Sequence, residues 1–467
     1  MLAARTEVQF RNSPGRKVIV IGGGVCGLTA AYRLQQRGFN PIVLEQNDYS
    51  GGRTRTFQSN GFTMDEGAAL FPSSYAETYS LAVELGLQDE IERVAAKTAL
   101  YLGEVYHEID GDHPLSSLLG ASYIGWQDKL SLLRLVPELL KHWHRLGFSD
   151  LSRASDSDHG TAQELCQRRG VSRKAYDLML NPLVRAMSST SGDQISSTAL
   201  LWYLKNFSNR KLFAFRGGMQ RLASVLSEQV EVFHGHIAER VDQIGNTVTV
   251  VARAPLDWSR GSGDVPSGEM KALSADFCIV ASDGRDLQRL YGHALTERQN
   301  RFLADLRYLP LKVVNFITAE RPDLDVFALQ VPEVVDPDAG IFVLSHNLSR
   351  SRAPQGKGII TFAGTADWQL RMHDQSDEAC IADVRLRARK ILPFLGPAEV
   401  SAKVSSWPRG TAIAYPGLFT KLRGFVADID PKSRVLYAGD YFSVPTVNTA
   451  VSTANAVAQR LVAAWPQ

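Results

Sequence analysis

The feature that most constrains this chain begins at Lys17. The run KVIVI is short, apolar and β-branched, without alternation, as a parallel strand covered on both faces requires. Glycine follows at once: Gly22, Gly24 and Gly27 make GxGxxG, and LTAAYRLQQRG continues as good helix formers ending at Gly38. NPIVLE is then a second buried strand, ending in Glu45 about 20 residues beyond the glycines, where a carboxylate can bond a ribose. Strand, glycine turn, helix, strand and acid together form a dinucleotide-binding fingerprint. The glycines let backbone approach a pyrophosphate, and the amides of the helix N-terminus supply positive potential.

That fingerprint does not choose between dinucleotides. SGGRTRT, shortly after Glu45, offers Gly51, Gly52, Arg53 and Arg55: a second glycine loop with bidentate donors able to lie along a pyrophosphate, or otherwise a solvated basic turn. Near the other end, RVLYAGD is a buried strand delivering Asp440 to a turn. TAVSTANAVAQRL follows as a helix whose N-terminus faces that turn.

IGGGVCGLTAAYRL, LEQNDYSGGRTRT, FTMDEGAALFP, FRGGMQRLASVL and RVLYAGDYFSVPTVNTAVSTANAVAQRL resemble the flavin amine oxidase superfamily, which includes protoporphyrinogen oxidases and phytoene desaturases. The resemblance covers nearly the whole chain. It implies an α/β fold in which a Rossmann-type, GR2-like FAD-binding domain is interleaved with an α+β substrate-binding domain. The segments expected are 17–94, 210–315 and 401–467 for the cofactor, 95–209 as a mainly helical substrate portion, and 316–400 as its sheet with one long helix. By resemblance the FAD contacts are Gly22, Gly24, Gly27, Glu45, Gly52, Arg53, Val241 (against the adenine), Gly439, Asp440 (on the ribityl chain) and Asn448. The flavin is expected to be non-covalent, because WPRGTAIAYPG stands where covalent relatives carry a cysteine. Gly410 and Thr446 occupy the positions where many amine oxidases place two aromatic side chains, which favours the protoporphyrinogen oxidase or desaturase branch. Tyr415 or Tyr441 could substitute from nearby.

Most of the chemistry would belong to the flavin, since its N5 accepts a hydride and the protein need only orient the donor carbon. Lys312, in LPLKVVNFIT, either points to solvent or faces the flavin and holds a water there. Trp407 and Tyr415 are candidates for the substrate pocket wall and equally for core. The expected activity is hydride abstraction from a C–N or C–C bond of a small to medium apolar or heterocyclic substrate, with dioxygen as the acceptor. The alternatives are an NAD(P)H-fed flavin reductase and a flavoprotein without turnover; a second nucleotide fingerprint is not evident.

Composition narrows the partners. Lys plus Arg at 51 against Asp plus Glu at 49 leaves a net charge of +2, with no dense basic run to suit nucleic acid. The four cysteines are scattered, without metal spacing, and fit a reducing, cytoplasmic setting. No metal site is expected: His142 and His144 fall on different helix faces, and His234 and His236 lack partner ligands. Residues 1–16 read as a loose tail, and DWSRGSGDVPSGEMKALS as an exposed hairpin. Leu130 to Gly147 reads as an amphipathic helix packing on its own protein; its basic polar face also admits a membrane surface or a lipid-substrate entrance. Oligomeric state is not legible.

Overall fold

A computed structural model describes residues 8, 10, 14–207, 211–253 and 269–466. Its centre is a five-stranded parallel sheet in the order Glu231–His234, Asn40–Glu45, Lys17–Ile21, Phe277–Val280 and Val435–Tyr437. The uninterrupted apolar runs follow from burial on both faces. Val18, Val20, Val43, Phe277 and Ile279 enter one core with the helices Val25–Gln35 and Val447–Ala464. Ile19, Ile21, Ile42, Leu44, Cys278 and Val280 enter the other, with the helical segment. Each fully buried Ile or Leu contributes about 1.5–3 kcal/mol, so the alternation fixes the strand register.

A second, seven-stranded sheet runs Glu399–Ala412, Tyr308–Thr318, Gly358–Gly364, Ala339–Leu344, Ala328–Gln330, Lys97–Leu102 and Val105–Asp110. Its pairs are antiparallel except Ala328–Gln330 with Lys97–Leu102. The helices Ala366–Met372 and Asp377–Ile391 cover one face. Two features differ from expectation. Strand Tyr308–Thr318 runs across the expected boundary at 315/316, and the segment expected to be mainly helical opens by contributing two strands to this sheet.

The stretch from Leu130 to Gly147 is not one helix. Helix Trp126–Leu132 passes through a 3-10 turn, Leu133–Leu135, into helix Val136–His142, and Pro137 sits in that helix's first turn, where its missing N–H costs no internal bond. Residues 1–7, 9, 11–13 and 254–268 lie outside the described residues, so the tail and the excursion expected as a hairpin are only partly described. The strands flanking the excursion, Thr247–Arg253 and Met270–Ala275, pair antiparallel with Arg253 opposite Met270. Among the described residues, no helix is long and apolar enough to cross a membrane.

Candidate functional site

The three fingerprint glycines do different work. Gly22 has φ +106° and donates its N–H to Leu44 O at 2.8 Å, a left-handed turn that returns the chain beneath the second strand. A Cβ on Gly27 would lie 1.9 Å from Gly22 O, so the helix can seat only if that position has no side chain. A Cβ on Gly24 would meet nothing within 4 Å. That bare edge, at the N-terminus of helix Val25–Gln35, is where a phosphate can approach backbone amides.

The second glycine loop lies against the first. Gly51 N–H donates to Gly23 O at 2.8 Å, and the nearest atom to a Cβ on Gly52 would be Gly24 Cα at 3.7 Å. Gly51 and Gly52 have φ of +114° and +53°, conformations that glycine adopts without strain. Glu45 Oε2 accepts the Gly23 N–H at 2.6 Å and Oε1 accepts from Asn47. Burial raises its carboxyl above the usual range against those hydrogen bonds.

Arg53 joins this cradle to the C-terminal turn. Its Nη2 lies 2.7 Å from Asp440 Oδ2, and its Nη1 donates to Gly410 O at 3.2 Å. Gly439, ahead of Asp440, is barred from carrying a side chain by the Tyr441 ring, 2.5 Å from where a Cβ would stand. Tyr308 and Asp283 complete the cluster: Tyr308 Oη accepts the Gly284 N–H at 2.9 Å, while Asp283 caps helix Gly284–Tyr291 and meets Arg409 at 3.1 Å. Burial first, then the charges of Asp440 and Asp283, push the Tyr308 hydroxyl well above its ordinary value. Asp283 is itself raised by burial and by Asp286. Thr446 caps helix Val447–Ala464, its hydroxyl accepting the Thr449 N–H at 3.0 Å. The flavin implied by the resemblance fits these residues. Asp440 Oδ1, Ser282 Oγ and Tyr441 Oη are buried without a hydrogen-bond partner, and the Gly24 edge is bare.

Other expected residues fall elsewhere. Strand alternation puts Lys312 on the face covered by helices: its Nζ donates to Gln375 O, its backbone N–H donates to Gln369 Oε1 at 2.7 Å, and its neighbours Val314 and Phe316 pack with Trp368, Met372 and Cys380. The opposite face points to the cradle. There Trp407, Ser405 and Lys403, across from Leu311, Val313 and Asn315, all reach Glu66. Lys312 is therefore not a flavin-facing group, and Lys312→Met will leave flavin reduction and reoxidation rates nearly unchanged. Stopped-flow traces showing the ~10²-fold loss expected of a general acid-base group would contradict this placement.

The Asn448 side chain is engaged elsewhere. Its Oδ1 accepts from Thr78 N–H and hydroxyl at 2.9 and 3.0 Å and its Nδ2 reaches Ser452 at 3.3 Å, so the side chain is a strut between helices; what remains is its backbone amide in a first helical turn. Val241 is fully buried in the core. His236 N–H donates to the backbone O of Glu45 at 2.9 Å, so the chain passes Glu45 at His236, and Val241 lies five residues, roughly 16 Å, further along at 3.3 Å per residue. Trp407 stands on the cradle face, its indole N–H donating to Glu66 O at 2.7 Å. Tyr415 is buried between Arg307 and Lys421, which lie 4.5 and 5.4 Å from its ring, and burial raises its hydroxyl.

Sequence reasoning missed Tyr308, Asp283 and a buried ion pair, Arg352 Nη1 to Asp65 Oδ2 at 2.6 Å. Asp65 stands in FTMDEGAALFP, beside Glu66 and Gly67, and two acids ahead of a glycine were the available signal; a Cβ on Gly67 would lie 2.2 Å from Arg53 O.

The sequence matches the family model described as flavin containing amine oxidoreductase over residues 25–462. It is 25% identical over 342 residues to the mitochondrial protoporphyrinogen oxidase of Nicotiana tabacum, an alignment covering 65% of this chain and 65% of that enzyme, just under two thirds of the relative's length. A putrescine oxidase structure bound to putrescine superposes with a TM-score of 0.73 at 18% identity, over 96% of this chain and 99% of that one. The cyclohexylamine oxidase of Brevibacterium oxydans gives 0.69 at 17%, over 96% and 100%. At these identities the two structures speak for the fold alone.

Proposed function

The chain belongs to the family of flavin-containing amine oxidoreductases, and on that premise we propose that it holds FAD non-covalently and removes a hydride from a C–N or C–C bond of a small to medium apolar or heterocyclic substrate, with dioxygen as the acceptor. The observation that carries this reading is convergence: loops Gly22–Gly27 and Gly51–Arg53, Gly410 and the Gly439–Asp440 turn meet through Gly51 N–H to Gly23 O, Arg53 to Asp440 and Arg53 to Gly410 O. Gly22, Gly24, Gly27, Gly52 and Arg53 would hold the pyrophosphate, Glu45 the adenosine ribose, and Asp440 Oδ1 a ribityl hydroxyl. The bound flavin supplies the two-electron acceptor.

This chain's part is positioning and the exclusion of water. Trp407, fixed by Glu66 O, walls the cradle face of the second sheet. Gly410 and Thr446 leave the substrate space without a paired aromatic clamp, which suits a broad ring system better than a slender amine. Non-covalent binding is supported by the thiols. Cys26, which feels the charges of Asp440 and Arg53, is pushed up to about 12 by burial. Burial also raises Cys166, Cys278 and Cys380, so none offers a thiolate.

The test is an absorption spectrum of purified protein, acid precipitation, and anaerobic titration with porphyrinogens, cyclic and aromatic amines, and polyenes. The expected result is a flavin spectrum whose chromophore stays in the acid supernatant and bleaches with one substrate class, then recovers on admitting air with hydrogen peroxide formed. Flavin retained in the pellet overturns non-covalent binding. Bleaching by NADH alone would move the protein to the reductases.

A further inference from the structure

We propose that a cleft at the Thr318 end of strand Tyr308–Thr318 binds a small organic oxyanion, a carboxylate or phosphate monoester carried on an apolar body. The cleft has a volume of about 680 Å³, within the range of about 300–1,000 Å³ that small-molecule sites occupy. Four pieces of chain meet around it: Arg321 just past that strand, the approach to strand Ala328–Gln330, the 3-10 turn Ser345–Asn347 with the residues after it, and strand Ile91–Val94. None of its lining residues belongs to the flavin cradle. The cradle meets strand Tyr308–Thr318 at Tyr308, and the cleft lies past the other end, roughly 33 Å along the strand at about 3.3 Å per residue.

Charge selects the ligand. Arg93, Arg321 and Arg350 line the cleft against Glu92 and Asp325. Both acids already have a cation that does not line it: Arg216 lies 2.9 Å from Glu92, and Lys97 lies 3.1 Å from Asp325. Arg93 is taken by Asp112 at 2.6 Å. Among the described residues, Arg321 and Arg350 have no carboxylate partner. Arg321 is held by a neutral group instead. Its Nη2 donates to Asn347 Oδ1 at 2.5 Å, and Asn347 is itself fixed by donating to Leu324 O and Val326 O at 2.9 and 2.7 Å. A guanidinium oriented but not neutralised is prepared for an oxyanion, since its planar fork is set and no ion pair has to break first.

A second observation comes from His346, which lines the cleft and is 3% exposed. Its Nδ1 is engaged by the Ile359 backbone, while its buried Nε2 has no hydrogen-bond partner. A buried polar atom left in that state is a standing cost that a ligand's polar group removes. Burial pushes the ring down to about 4, so near pH 7 it brings a hydrogen bond and no charge. Phe327 and Leu348 supply the apolar wall. A bare inorganic anion would satisfy the arginines and leave that wall wet; a ligand with an apolar body uses both. The inference goes beyond the flavin reading and does not depend on it.

The experiment is calorimetric titration of the protein as purified, with phenyl phosphate, benzoate and inorganic phosphate as probes. The expected result is saturable one-site binding of an aromatic probe with Kd below about 1 mM, and binding of inorganic phosphate at least about tenfold weaker. Tighter phenyl phosphate assigns a phosphate ester, and tighter benzoate a carboxylate. Arg321→Ala with Arg350→Ala, both exposed, should weaken the better probe at least about tenfold with circular dichroism and Tm unchanged. Gly24→Leu, which alters the cradle alone, should bind the probe like wild type. The proposal is overturned if neither aromatic probe saturates below about 10 mM, if inorganic phosphate binds as tightly as the better probe, if the double variant binds like wild type, or if Gly24→Leu abolishes binding, which would put the probe in the cradle.

Discussion

Protein carrying Gly24→Leu will fold and melt like the parent apoprotein, and will not retain flavin. Two facts combine here. Gly24 has φ −72°, an ordinary value for any residue, and a Cβ there meets nothing within 4 Å, so the folded chain tolerates the side chain and stability should move by no more than about 0.5 kcal/mol. The same open edge lies where helix Val25–Gln35 presents its first amides, and a leucine fills the space a pyrophosphate needs. Affinity for FAD should fall at least ~100-fold, about 2.7 kcal/mol, read by fluorescence titration of the apoprotein. Gly27→Ala is the contrast: its Cβ would stand 1.9 Å from Gly22 O, so that variant should lose the fold itself. A Gly24→Leu protein that binds FAD like the parent would remove the glycine edge from the proposed site.

The contrast shows which parts of this molecule a sequence displays. The βαβ unit is local: strand pattern, glycine spacing and Glu45 sit within about thirty residues, and each position has a steric reason to be what it is. Asp440 was legible for the same reason, as a carboxylate after a buried strand. Lys312 was not, because which face a strand residue takes depends on register, here shifted between Leu309 and Leu311 where the strand pairs with Glu399–Ala412. The burial of Val241 in the core was not legible because the contact that fixes the start of its strand, His236 N–H to Glu45 O, joins distant segments. Periodicity in Leu130–Gly147 gave an amphipathic path without saying which side meets the protein; Leu135 and Leu146 enter the core beside buried Glu138 and His142, while Leu130, Leu133 and Leu140 stay exposed.

The least legible element is the pair Asp65 with Arg352, and its removal should carry a large stability cost. The side chains are 4% and 1% exposed, with Arg352 Nη1 2.6 Å from Asp65 Oδ2. Asp65 Oδ1 also accepts from Thr56 Oγ1 at 2.7 Å and Met219 N–H at 2.9 Å, so the carboxylate ties three segments together. Arg352→Met leaves that carboxylate buried without its countercharge, and Asp65→Asn leaves the guanidinium buried likewise; each should cost about 3–5 kcal/mol in urea unfolding. The double variant should cost less than the sum by about 2 kcal/mol or more, because no lone charge remains while the substituted amide still offers an oxygen to Thr56 and Met219. Strict additivity, or a single-variant cost below about 1 kcal/mol, would show the pair to be uncoupled. The consequence reaches the cradle. Glu66 N–H donates to Arg55 O at 2.9 Å and Ala68 N–H to Arg53 O at 3.3 Å, so the chain that Asp65 anchors is the one that holds the arginine loop. Flavin affinity should therefore fall together with stability in both single variants and recover partly in the double.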